Sequence, residues 1–454
     1  MFSIKNKEFI KQIFCFLGIF LVSFCLIHLL GFINNYGDPV NSYGFAKAIK
    51  MGQIPYLDFN TISTPLLAMY QSLFLHIWDD FIMINVSQAI LVSISFLLLY
   101  KMFGKKTLIL VLVTVVLGCK NLVATYNFMS FFFLVLLLFM EKKHNDKDVL
   151  IGVILALGVL AKQTVGVFAI IPSIIFYRKN LKKLSKRFFG FLIPCFIFLG
   201  YLVLNNAVYE FFDLCLFGLF DFGTKNGVGG GHIYTGWLIV SLLFVLIAAA
   251  LLLKNKKDMH IYYFFLGFLY AFPLFDITHF AFWAMCFTII ILPYIKLNDK
   301  VITTLVWAVV IPYSLLYGLL WCSTWQLSVT EKMPHFKYNI QRTNIYENVL
   351  TINDFVNSYE DPIVLGYFSM THTIMNDKKL SYFDILYDGN YGYNGTKKMK
   401  EKIDEMHNQI FIISMGDYQS KDEFSQISKD VMEYVMENCK KVDAKYGMNV
   451  YYKE

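Results

Sequence analysis

About eleven apolar runs, each close to the length that crosses a bilayer, constrain this chain more than any other feature. A helix needs about 20 apolar residues to span the hydrocarbon, and an open strand cannot satisfy its backbone there. The runs lie near 13–33, 83–100, 107–119, 122–140, 149–161, 164–177, 188–204, 235–253, 259–275, 280–295 and 301–322. Composition agrees, since 57% of the residues are hydrophobic and 16% charged, whereas an ordinary soluble chain carries about 25% charge. A soluble globular enzyme is excluded. The 10 Pro, 27 Gly and 8 Cys are too few for a collagen-like, disordered or disulfide-stapled chain. Six cysteines fall in or beside apolar runs, and no CxxC knuckle is present.

The net charge of +7 does not point to nucleic acid, because the basic residues cluster between apolar runs, as the positive-inside rule requires. Lys5, Lys7 and Lys11 precede the first run and place the N-terminus in the cytoplasm. That run has no small-residue cleavage site and reads as a retained anchor. The clusters at Lys101/Lys105/Lys106, Lys142/Lys143/Lys147, Arg178 to Arg187, Lys254/Lys256/Lys257 and Lys296/Lys300 then all fall on the cytoplasmic side. The stretch 65–80, which opens with Pro and ends in Trp78-Asp79-Asp80, is too short to cross and reads as a helix at the outer interface. Beyond residue 325 the composition turns mixed, with strand-like runs at 363–367 and 410–414 and a helical pattern at 423–437. The expectation is an α-helical polytopic membrane protein of about eleven transmembrane helices (residues 1–325), followed by a small α/β extracytoplasmic domain (326–454).

Two carboxylates, Asp38 and Asp58, follow the first run in an aromatic, amide-rich loop. A carboxylate at the membrane surface can take a proton from an acceptor hydroxyl. Asp38 equally suits the N-cap of a helix starting near Val40, and Asp58 a turn before Asn60 and Thr61. Among the cations that the topology puts outside, Lys162 stands out from Lys120, Lys225 and His279, because it lies between two apolar stretches where a charge is expensive. A snorkelling lysine is the plain alternative. Asp276 and His279, three apart, share a helical face, as a pair binding sugar hydroxyls or phosphate or as a simple ion pair. Two such ligands fall short of the three or four a metal site uses, so no metal is predicted. The glycine-rich run 226–232 lacks the Gly-Lys-Ser/Thr ending of a nucleotide loop and reads as a linker or a loop that orders over bound donor.

The loop resembles the first external loop of the GT-C class of integral-membrane glycosyltransferases, which includes the protein mannosyltransferases and the aminoarabinose transferases. Asp38, Tyr43, Ala46, Gly52, Pro55, Tyr56, Asp58, Phe59 and Pro65 carry the likeness in order and spacing. LALGVLAKQTVG, with Lys162 and Gln163, and FPLFDITHFAFW, with Asp276 and His279, are similar to two further outer elements of that class. Many members have two adjacent acids in the first motif, whereas here Pro39 follows Asp38.

The resemblance implies transfer of a sugar from a polyprenyl-phosphate donor to a glycan, lipid or protein acceptor of the cell envelope, at the outer face of the cell membrane, with inversion in a single displacement. It implies catalytic roles for Asp38, as general base, and Asp58, and substrate-binding roles for Tyr43, Tyr56, Lys162, Gln163, Asp276 and His279. Charge growing on the departing phosphate calls for cationic or hydrogen-bonding partners and demands neither metal nor cofactor. A transporter or flippase of lipid-linked saccharides is the alternative. It would place ionisable or broken-helix features at the midplane and often shows two similar halves, whereas here the notable polar residues gather at outer helix ends.

Overall fold

The structure, a computed structural model, describes residues 2–33, 38–122, 124–226, 235–272, 275–325, 345–387, 389–419 and 428–454. The glycine-rich run singled out above lies almost wholly outside them, as do the side chains of Asp38, Lys120 and Lys225. The chain is mostly helical. Among the described residues, four helical stretches are long and apolar enough to cross a membrane: Phe81–Val116, Leu181–Leu204, Thr235–Lys254 and Ile277–Tyr294. Leu181–Leu204 and Thr235–Lys254 turn large apolar side chains outward, among them Phe189, Ile197, Leu246 and Leu253. Such surfaces suit hydrocarbon rather than water.

The expected runs are helical, with breaks that have local causes. The stretch Phe81–Val116 is interrupted where Gly104, at φ +60°, ends the helix Phe81–Phe103 before Thr107–Val116 begins. The run near 259–275 becomes two helices, Met259–Phe265 and Phe268–Ala271. Between them Gly267 lies so close to the next helix that a Cβ would stand 2.3 Å from Cys286 Cβ. Helix Leu66–Leu75, in the stretch read as interfacial, buries Leu67, Gln71, Ser72 and Leu75 while Leu73, Ile77 and Trp78 stay exposed.

Helices Asp148–Ala161 and Leu181–Leu204 pack backbone to backbone, because two glycines meet there. A Cβ on Gly152 would stand 1.9 Å from Arg187 O, and one on Gly190 2.0 Å from Val149 O. A buried ionic cluster fastens the same region. Arg187 donates to both oxygens of Glu141 (2.5 and 2.9 Å), to Asp148 (3.0 Å) and to Ser173 (2.7 Å). Tyr177 and Tyr263 each donate to Glu141 at 3.0 Å.

After residue 345 the chain builds a four-stranded sheet, β1 (Ile363–Leu365), β2 (Gln409–Ser414), β3 (Lys440–Lys445) and β4 (Met448–Lys453), in the order β1-β2-β4-β3. β1 and β2 run parallel, and the other pairs are antiparallel. Leu365, Phe411 and Ile413 pack against helix Lys429–Asn438 through Val431, Met432 and Val435. The opposite face, with Val364, Ile412 and Val450, joins one core with Val40, Tyr43 and Phe59 of the first loop. Sheet and loop therefore share a core.

Candidate functional site

The first loop begins with helix Asp38–Lys50, of which Asp38 is the first residue. Tyr43 on this helix is fully buried, edge-on to Phe81 at 5.6 Å. Burial, with Asp79, Asp80 and Asp377 nearby, pushes its phenol far above the ordinary value. Lys47 pairs with Asp377 of the C-terminal region, and Lys50 with Asp79 at 2.8 Å. Both lysines lie in the helix's last turn, where a cation also favours the helix dipole.

Past Gly52, at φ +83°, the chain makes a tight turn. Asp58 is exposed and its Oδ2 accepts the Ile54 N–H at 2.6 Å, so it caps this turn while presenting a carboxylate to solvent. Tyr56 takes φ +74°, a conformation that costs about 1–3 kcal/mol for a residue with a side chain. Several contacts hold it there. Its hydroxyl donates to Ser63 O (3.0 Å), its carbonyl accepts from Tyr382 (2.5 Å), and its ring meets Phe211 edge-on at 5.3 Å. Tyr56 is wholly buried. Tyr43 and Tyr56 thus shape the loop from within.

The loop rests on a helix break. Helix Asp148–Ala161 stops because Lys162 is extended (φ −155°, ψ 110°), and Gln163–Phe168 starts immediately after it. Gly166 makes the reversal possible, since a Cβ there would stand 2.3 Å from Val159 Cα. Gln163 Nε2 donates to Ile62 O (2.8 Å) and Cys215 O (3.3 Å), tying the first loop to a π-helical turn, Asp213–Phe217. Lys162 Nζ donates to Asn127 Oδ1 at 2.5 Å and lies over the rings of Tyr126 (5.3 Å) and Tyr270 (4.9 Å). Asn127 and Tyr270 are fully buried. An amide oxygen and two ring faces steady the ammonium of Lys162.

Tyr382 has its phenol pushed up to about 12 by burial first, and then by the carboxylates of Glu210, Asp58 and Asp213. Asp213 is buried and paired with Lys398, and Gly392 lies so close that a Cβ would stand 2.2 Å from Asp213 Oδ2. Asp58 of the first loop, Glu210 of helix Val208–Phe212 and Asp213 of the π-helical turn thus all act on Tyr382 of the C-terminal region. Asp276 and His279 stand at the start of helix Ile277–Ile291, where Asp276 accepts the His279 N–H (2.8 Å) and lies 2.7 Å from His279 Nδ1. Burial pushes the Asp276 carboxyl up, but His279 and the backbone donors outweigh it and hold the group below the ordinary range.

Of the residues singled out in the sequence, the structure joins Tyr56, Asp58 and Gln163 through the first loop, with Lys162 at the break on which that loop sits. Asp276 and His279 form a separate capped pair. Sequence reasoning missed Asn127, Tyr270, Glu210 and Tyr382. An asparagine opening the apolar helix Tyr126–Lys143 was the one available signal, since a polar group in such a place calls for a partner.

No family model matches the chain. No curated protein matches it in sequence. Its fold does match a solved one: the crystal structure of ArnT from Cupriavidus metallidurans bound to undecaprenyl phosphate, at a TM-score of 0.51 and 10% identity, over 98% of each chain. The GT-C resemblance read in the first loop is therefore matched by an ArnT-like fold along almost the whole chain.

Proposed function

We propose that this protein is a membrane glycosyltransferase that moves a sugar from a polyprenyl-phosphate donor to a cell-envelope acceptor by single displacement with inversion. The observation that carries this reading is the ArnT-like fold over 98% of both chains, in a structure that holds undecaprenyl phosphate. In this reading about eleven helices cross the membrane, the N-terminus is cytoplasmic, and residues 326–454 form an extracytoplasmic domain. Parity of the basic clusters supports the orientation. Lys162 faces the departing phosphate, whose negative charge grows as the sugar–oxygen bond breaks. Asp38 takes the proton of the acceptor hydroxyl, and Asp58, exposed on the same loop, is the second carboxylate of the site.

Membranes containing the wild type, Asp38→Asn, Asp58→Asn or Lys162→Met, supplied with an undecaprenyl-phosphate-linked sugar, test the proposal. Losing the base lowers transfer by about 10²–10⁴-fold. Losing the cation lowers it by about 10²–10³-fold. Unchanged transfer in both Asp38→Asn and Lys162→Met rejects this mechanism. Movement of the lipid-linked sugar across the bilayer with no new glycosidic bond identifies a flippase instead.

A further inference from the structure

The carboxyl ends of the parallel strands β1 and β2 carry side chains that the reaction above does not use. After β1 the chain passes through Gly366, at φ +137°, to Tyr367, whose backbone N–H donates to Asp417 Oδ2 at 2.9 Å. Asp417 follows the end of β2. A Cβ on Gly366 would stand 2.5 Å from Asp417 Oδ2, so glycine lets the carboxylate lie against the backbone, held in one orientation. Tyr367 is 36% exposed, and the centroid of its ring lies 5.6 Å from that of Tyr387, at an interplanar angle of 46°. In open α/β sheets, ligands bind beyond the carboxyl ends of the parallel strands.

We propose that Tyr367, Tyr387 and Asp417 form a subsite for a neutral saccharide, the acceptor of the transfer; this rests on the glycosyltransferase reading. The negative face of an aromatic ring attracts the weakly positive C–H groups of a pyranose. A carboxylate fixed by a backbone donor accepts sugar hydroxyls without having to reorganise. The same carboxylate repels phosphate, so the donor's charged end belongs elsewhere. Position fits the role, because Tyr387 lies between Ile385 and Asn390, and both of their carbonyls accept Asn60 Nδ2 (3.1 and 3.3 Å). Asn60 is two residues from Asp58. A sugar on the tyrosines is thereby coupled to the loop that carries the exposed carboxylate.

The test uses full-length protein in detergent micelles and two probes: neutral oligosaccharides released from the envelope of the cells that make the protein, followed by saturation-transfer NMR, and undecaprenyl phosphate, followed by direct binding. The wild type and Tyr367→Phe transfer saturation to the oligosaccharides. Tyr367→Ala and Asp417→Asn weaken that binding by about tenfold, the value of one lost stacking or charged contact. All four bind undecaprenyl phosphate equally, which also shows that the variants fold. No saturation transfer from the wild type, or undiminished transfer from both Tyr367→Ala and Asp417→Asn, overturns the subsite. Saccharide binding that persists in a protein with no affinity for undecaprenyl phosphate overturns the donor reading and leaves the subsite standing.

Discussion

Gln53 and Leu380 exchange two hydrogen bonds, as paired backbone amides do: Gln53 Nε2 donates to Leu380 O, and Leu380 N–H donates to Gln53 Oε1, both at 2.8 Å. Asn60, which donates to Ile385 O, and Tyr382, which donates to Tyr56 O, tie the same two segments together. The first loop therefore takes its shape from residues more than 300 positions away. Gln53→Ala removes both bonds and leaves the Leu380 amide buried, a loss of about 1–3 kcal/mol. Thermal unfolding of the full-length protein in detergent should show a lower midpoint. Gln53→Glu keeps the acceptor but loses the donor, and should fall at least as far. An unchanged midpoint in both variants would mean that the pair carries no stability.

The Arg187–Glu141–Asp148 cluster makes a sharper prediction. Arg187 and Glu141 side chains are 3% and 0% exposed, so removing one partner strands a charge in a medium that cannot solvate it. Glu141→Gln and Arg187→Met are each expected to destabilise by about 3–5 kcal/mol. The double variant should recover part of that loss, because neither Arg187 nor Glu141 is left unpaired and Asp148 still has Lys183 at 3.6 Å. A thermal-shift series over the four proteins measures the coupling. Additive losses would show that the two groups act independently.

Much of the helical scaffold is legible in the sequence because bilayer thickness imposes a length that composition alone reveals. The breaks are less so. Gly104 falls in the basic gap between two runs, where a break is expected, but Gly267 stands inside an apolar run, and only its packing against Cys286 shows that it interrupts a helix. Lys162 could be picked out because a lone cation between apolar stretches is costly. Its seat could not be, since Asn127 and Tyr270 reach it from distant parts of the chain. Tyr43 and Tyr56 belong to the motif that suggested them, yet both are buried. A motif records which residues recur together, whereas burial depends on what packs over them. Here Tyr56 is covered by Phe211 and reached by the hydroxyl of Tyr382, neither of which the local pattern encodes.

Asp276 separates structural from chemical roles. As N-cap of helix Ile277–Ile291 it accepts the His279 N–H, and it also faces the His279 ring. Asp276→Ala loses both and should destabilise by about 1 kcal/mol or more. Asp276→Asn keeps a good cap and loses the charge. If the pair serves only the helix end, Asp276→Asn should match the wild type in thermal unfolding and in sugar transfer. A substrate-binding role predicts the opposite split, with a normal melting midpoint and weakened transfer.

His372, in helix Phe368–Met375 of the C-terminal region, sets a pH dependence. It is 2% exposed, its Nδ1 lies 2.9 Å from Asn353 Oδ1, and burial together with Lys378 pulls its pKa from 6.5 down to about 4. Above about pH 6.5 the ring is neutral in both folded and unfolded chains, and its contribution is fully present. Between pH 6.5 and 4 the unfolded chain binds a proton that the folded one refuses, so stability falls as the solution is acidified, by at most about 1.4 kcal/mol per pH unit. Below about 4 this group adds no further loss. Hydrogen exchange of helix Phe368–Met375 should accelerate between pH 6.5 and 4.5 beyond the change in intrinsic rate. In His372→Gln that excess should disappear; an identical pH profile in the variant would assign the effect to other groups.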